Sequence, residues 1–155
     1  MTTTSMKRSH LILLGLLLAS FVGIKLWQYH WSTATVMLRG ETLSVLVAKT
    51  GHQHERGLGQ RESLAPYEGM LFLFDLPKEY VFIMRDMAFP IDIVWFNEGK
   101  VVDIAPSVQP EPGVPVERLK RYIPRKPATI VLELPAGWAA SHNLKLGDTL
   151  QVVEE

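Results

Sequence analysis

At 155 residues, with 47% apolar and 21% charged residues, the chain can form one domain with a real hydrophobic core and is too apolar to be disordered. Its 16 basic and 16 acidic residues cancel, but Lys7, Arg8 and Lys25 stand near the N-terminus, so acid exceeds base after residue 30, which argues against nucleic acid as a partner. Cysteine is absent, which excludes disulfides, thiol catalysis and thiolate-bound metal sites.

Residues 1–10 carry Lys7 and Arg8 without an acid, and Leu11 to Ile24 is free of charge. A spanning helix needs about 20 residues; residues 11–31 reach that length if Lys25 snorkels, with Trp27, Tyr29 and Trp31 at the interface. The pattern predicts a cytoplasmic N-terminus over 1–10, a transmembrane anchor or signal segment over 11–31, a linker over 32–40 and a globular domain over 41–155. The domain would then lie in the periplasm or extracellular space, tethered to the cytoplasmic membrane by a single pass. The alternative is secretion after cleavage, since the uncharged core is short and Ser32-Thr33-Ala34 offers a cut site.

Within the body, Leu43 to Lys49 alternates as a strand. Thr50 with Gln53 forms a capping-box pattern for a short helix ending near Gly57 or Gly59. Gly69–Phe74 and Glu79–Met84 read as strands joined by a tight connection at Asp75–Lys78. Ile91–Phe96 and Lys100–Ala105 flank Asn97-Glu98-Gly99, a hairpin signal. Pro106–Pro127 reads as an extended surface loop. Ala128–Leu134 is again a strand, Pro135–His142 a short helix, and a final strand follows Leu150. Strands apolar on both sides are covered on both sides.

These residues carry a resemblance. Arg56-Gly57-Leu58 with Arg61, Glu68–Phe74, the stretch Met84–Phe96, and Val131–Gly137 with Gly147-Asp148 occur in an order and spacing that resemble the domain of unknown function 192 family over residues 41–153. The resemblance implies a small α+β domain, often behind a signal or anchor, with no assigned activity. The family's Phe-Trp-Met-Lys-Asn pattern stands here as Phe82-Ile83-Met84-Arg85-Asp86, so the aromatic is lost and Arg85 keeps only the positive charge.

Met84–Phe96 concentrates the candidate site. Alternation puts Asp92 on one side with Val94 and Phe96, against Ile91, Ile93 and Trp95 on the other. A carboxylate among such residues needs a partner, either an arginine (Arg56, Arg61 or Arg85) or the backbone N–H groups of the turn after Pro90. The candidate pocket comprises Arg56, Met84, Arg85, Asp86, Phe89, Asp92 and Trp95. His52 and His54, two apart on a helix, point in different directions, so no metal site is expected, and no cofactor. Arg118, Lys120, Arg121, Arg125 and Lys126 form a basic cluster in the proline-rich loop. No catalytic motif is present, which places binding ahead of catalysis.

The expected fold is thus α+β: a single compact, mostly β domain with a strongly curved or barrel-like sheet of about seven strands and two short helices, behind an N-terminal transmembrane helix. The expected function is a ligand-binding module for carbohydrate or another small polar envelope component, with the membrane as its partner through residues 11–31. A hydrolase using Asp92 or Asp86 as acid/base, and a structural or partner-binding envelope protein, are the alternatives.

Overall fold

The computed structural model describes residues 8–28 and 31–154, in two units that divide between Trp31 and Ser32. In the first, α1 (Arg8–Gln28) is a helix of 21 residues. Ile12, Leu16, Leu17 and Phe21 each leave at least 60% of their surface exposed. Among the described residues, no helix is long and apolar enough to cross a membrane, so the transmembrane helix expected over 11–31 is not found. The uncharged run Leu11 to Ile24 spans only about 21 Å at 1.5 Å per residue, against a hydrocarbon core of about 30 Å. Residues 29–30 of that segment, and 1–7 of the expected cytoplasmic tail, lie outside the described residues.

The second unit holds seven strands in one mixed sheet, ordered β5-β4-β6-β3-β2-β1-β7. They are β1 (Ser32–Leu38), β2 (Glu41–Ala48), β3 (Gly69–Lys78), β4 (Ile91–Asn97), β5 (Lys100–Val108), β6 (Ala128–Pro135) and β7 (Leu150–Glu154). Ser32–Leu38, expected as linker, is a strand because Ala34, Val36 and Leu38 recur at period two and are buried. It turns through Arg39-Gly40, both at positive φ, and pairs antiparallel with β2 and β7.

Among the described residues only β2 and β3 run parallel, and a parallel pair needs a long crossover. Here α2 (Gly51–Arg56) and the segment 57–68 supply it. The expected capping box forms in full: the Thr50 hydroxyl accepts from the Gln53 N–H, and the Gln53 side-chain oxygen accepts from the Thr50 N–H. Gly57 ends the helix at φ 50°.

The expected hairpin turns at Glu98-Gly99, with φ 50° and 71°. Its tip then meets the opposite edge of the sheet: the Val101 N–H donates to the Asp148 carbonyl at 2.9 Å and the Leu150 N–H to the Gly99 carbonyl at 2.8 Å. These bonds join the start of β5 to the start of β7 and curl the sheet into a half-barrel.

Two expectations fail in the connection between β3 and β4. β3 continues through Asp75 to Lys78 in place of a tight turn, with a register shift against β6. Glu79–Met84 makes only a single bridge, Phe82 with Tyr122. Three short helices stand where two were expected: α2, a 3-10 turn at Val116–Arg118 and α3 (Trp138–Ser141).

Alternation sorts the strand side chains onto two faces. Val36, Val45, Val47, Leu71, Val94, Phe96, Leu132 and Leu134 pack together inside the curl. The register places Met70, Glu133 and Ile93 side by side on the other face, next to Phe72, Val131 and Trp95. The 80–87 connection closes over that face: Phe82 meets Phe72 and Trp95 edge-on at 5.0 and 6.1 Å between centroids, and the Trp95 indole N–H donates to the Tyr80 carbonyl at 3.1 Å.

Candidate functional site

Where α2, the outer sheet face and residues 80–87 converge, they leave a cavity of about 300 Å³. Its aromatic wall is Phe72 and Phe74 from β3 with Tyr80 and Phe82 from the connection. Phe74 and Tyr80 stack at 3.6 Å between centroids, and the His54 ring lies 4.5 Å from Phe74. His54 Nε2 meets the Ala48 carbonyl at 3.0 Å. A carbonyl only accepts, so Nε2 carries the hydrogen. His54 is half-buried against aromatic rings.

On the other side stand Arg56 and Arg85 with Gly57, Leu58 and Gly59. Arg85 Nη2 donates to the Glu55 carbonyl. Gly59 is required here: a Cβ would come within 2.9 Å of the Arg85 carbonyl and 3.0 Å of that of Arg56. Burial, followed by the charge of Arg56, pushes the neighbouring Arg61 guanidinium below its ordinary pKa.

Glu133 lines the same cavity. It sits mid-strand between Leu132 and Leu134, 6% exposed, and its Oε2 has no hydrogen-bond partner among the described residues. Burial raises its pKa to about 8, so at neutral pH it is a neutral acid, the form that a dry site favours. An unsatisfied acid at the centre of a sheet costs stability and is a marker of a functional site.

The residues expected to form one pocket divide four ways. Arg56 and Arg85 line the cavity. Met84 is buried and Asp86 exposed, both beside a smaller depression formed with Glu111–Val114. Asp86 has φ 55° in the turn closed by the Met87 N–H and the Met84 carbonyl, a conformation that Asp and Asn tolerate better than most side chains. That conformation suits the Asp that stands here where the family pattern has Asn. Phe89 is half-buried beyond the turn, and Trp95 is held by its bond to Tyr80.

Asp92 belongs to the opposite face. It is wholly buried and accepts three backbone N–H bonds, from Ser107 at 2.7 Å, Gly137 at 3.0 Å and Ala139 at 2.8 Å. Of the two expected kinds of partner it takes backbone N–H groups rather than an arginine, but they come from the end of β5 and the start of α3 and not from the turn after Pro90. In the basic cluster, Arg125 pairs with Asp103 at 2.5 Å, and Lys120 lies over the Tyr122 ring at 4.9 Å. Among the described residues, no three His, Asp or Glu side chains assemble as a metal site.

His54, Phe74, Tyr80 and Glu133 were missed. Glu133 left a signal, a carboxylate inside a strand apolar on both sides. The others left none, because the irregular 79–84 segment that gathers them reads as a strand.

The family model described as DUF192, Uncharacterized ACR, COG1430, matches residues 34–152. A protein of unknown function from Novosphingobium aromaticivorans DSM 12444 is similar in structure, with TM-score 0.65 and 27% identity over 78% of this chain and 84% of that one. A protein from Sinorhizobium meliloti 1021, named a "putative transcription regulator", is similar with TM-score 0.69 and 28% identity over 79% of this chain and 95% of that one. No curated protein matches.

Proposed function

We propose, from the premise that this chain belongs to the DUF192 family, that its domain is a binding module for a small polar ligand and that the cavity beneath α2 is the binding site. The observation that carries this reading is Glu133, a buried acid whose Oε2 has no hydrogen-bond partner among the described residues, in a cavity of about 300 Å³ with an aromatic wall. Binding pockets combine apolar walls with a few placed polar groups in this way, and the volume suits one sugar unit or amino acid. Carbohydrate from the cell envelope is one ligand class of that size.

The hydrolase reading built on Asp92 or Asp86 loses its support. The Asp92 carboxylate is occupied by three N–H groups, and Asp86 sits on an exposed turn. For a nucleic-acid role, the excess of acid over base after residue 30 works against the regulator name carried by the Sinorhizobium protein.

The same proposal places the domain outside the cytoplasm, with residues 8–28 acting as a membrane-held or cleaved leader. The uncharged run behind Lys7 and Arg8, and the exposed Leu16, Leu17 and Phe21, support that placement. Carbonate extraction of cells expressing the full chain separates the cases: a pelleted chain is held, and a shortened periplasmic one is cleaved. Recovery in the cytoplasm overturns the placement.

For the site, thermal-shift measurements against sugars, amino acids, betaines and dicarboxylates test the reading. Val81, exposed at the cavity's edge, accepts a bulky plug. At least one class should stabilise the wild type and leave Val81→Trp unmoved. No stabilisation by any class at saturating concentration refutes the module.

A further inference from the structure

We infer that the cavity takes a small zwitterion, its alkylammonium group seated between the aromatic wall and the Glu133 carboxyl, its anionic group on Arg56 and Arg85; this rests on the cavity being the ligand site. The polar inventory of each side carries the inference. On the aromatic side, the Tyr80 hydroxyl already donates to the Leu76 carbonyl at 2.7 Å, and His54 Nε2 is committed to the Ala48 carbonyl. Glu133 Oε2 has no partner among the described residues, and beside it the Tyr80 oxygen can still accept. A sugar brings several hydroxyls and would find most of them unmatched there, each at a cost in desolvation.

An alkylammonium needs less. Its charge is spread over C–H groups that are attracted to aromatic faces, and a carboxylate beside them supplies the counter-charge. Phe72, Phe74, Tyr80 and Phe82 with Glu133 provide both. A simple cation would be repelled by Arg56 and Arg85, which line the same cavity. Arg85 has one nitrogen engaged on the Glu55 carbonyl, and a guanidinium holds five N–H donors, so donors remain for an anion. A cationic side facing an acid that ionises beside an ammonium selects a ligand that carries both charges.

Binding then moves one proton. In the empty cavity Glu133 is a neutral acid; when the ammonium enters, the O–H bond breaks, the carboxylate pairs with the ammonium, and the proton leaves to solvent. The charged and titratable groups that line the cavity with it are His54, Glu55 and Arg56 from the crossover, and Tyr80 and Arg85 from the connection to β4.

Calorimetry on the full chain tests this, with glycine betaine as probe. Two controls accompany it: tert-butylacetate, in which carbon replaces the quaternary nitrogen, and the neutral sugar N-acetylglucosamine. Betaine should bind at least ~10-fold tighter than tert-butylacetate, since a desolvated cation–aromatic contact is worth up to about a factor of 30. One proton should be released per betaine at pH 7, and affinity should rise about tenfold from pH 6 to 7 and level off above 8. The same slope should remain in His54→Gln whatever its affinity, and should vanish in Glu133→Gln. If Glu133→Gln does not fold, Phe74→Leu reads the same seat: a larger loss of affinity for betaine than for tert-butylacetate, whereas equal losses overturn the cation's place on the wall. Equal binding of betaine and tert-butylacetate, or binding of the sugar alone, overturns the zwitterion and keeps the cavity as a ligand site. If none of the three binds, the zwitterion is overturned, and the Val81→Trp comparison decides the site separately.

Discussion

Glu133→Gln isolates the cost of burying an acid at the centre of the sheet. Desolvation raises the Glu133 pKa from 4.5 to about 8 in the folded chain. Between those values the unfolded chain has lost the proton and the folded chain keeps it, so the folded state binds more protons. Stability must then fall as pH rises, by about 1.4 kcal/mol per unit. The loss is absent below the unfolded value and complete above the folded one. From pH 5 to 7 it amounts to on the order of 3 kcal/mol, a large part of the 5–15 kcal/mol that holds an ordinary domain.

Glutamine keeps the shape and cannot ionise. Burying its amide carries its own penalty, roughly 1–3 kcal/mol, but that penalty does not depend on pH. The informative quantity is therefore how the stability difference between variant and wild type changes with pH, not its size at one pH. Urea unfolding of the full chains, followed by tryptophan fluorescence at half-unit steps from pH 5 to 8, gives that difference with all other titrations cancelled. The difference should grow steadily in favour of Glu133→Gln. A constant offset across the range would mean that Glu133 is ionised in the fold, and the reasoning from burial would be refuted.

Three further outcomes follow from the same contacts. Asp92→Ala takes the acceptor from three N–H groups, of which that of Ala139 is buried, and should cost roughly 1–3 kcal/mol; in a cycle with Arg85→Ala the losses should add to within about 0.5 kcal/mol, since Asp92 is bonded elsewhere, and a larger coupling would contradict that placement. Asp86, at φ 55°, should accept Asn or Gly with little change in melting temperature, whereas Asp86→Val should lose about 1–2 kcal/mol; an equal loss with Asn would point to its charge. For Asp103, burial works to raise the pKa, but hydrogen bonds from the Arg125 side chain and backbone outweigh it and hold the pKa below the ordinary value. A depressed carboxyl stabilises the fold above its unfolded pKa and loses that contribution as pH falls through the folded one. Arg125→Ala should therefore weaken the protein at neutral pH and converge with wild type in acid, as urea midpoints would show.

Where one short segment contains its own explanation, the sequence was legible. The Thr50–Gln53 capping box and the Glu98-Gly99 turn are settled by neighbouring residues, and both stand as read. β1 was taken for linker because its partners, β2 and β7, lie on both sides of it in space and β7 is more than a hundred residues away. Glu79–Met84 has a strand's composition, but the strand next to it is not there to pair with, so it folds as irregular chain and carries Tyr80 and Phe82 over the sheet. The candidate site suffered most from this. Arg56 and Arg85 were found because charge near apolar sequence is conspicuous, while the aromatic wall was indistinguishable from core.

Asp92 and Glu133 show what a sequence cannot weigh. Both are acids in strands that are apolar on either side, and both are buried. They stand on adjacent strands, where Asp92 is opposite Leu134 and Glu133 opposite Ile93, so a one-residue step sends them to opposite faces of the sheet. Inside the curl, Asp92 meets three backbone donors from segments 15 to 47 residues away. Those bonds compensate its desolvation and make it a clamp between β4, β5 and α3. On the outer face, Glu133 meets a cavity, and its Oε2 has no donor among the described residues. An acid that folding has satisfied is accounted for by folding. The unsatisfied one is where a ligand would add the missing contact, which moves the functional question from the conspicuous Met84–Phe96 stretch to the middle of β6.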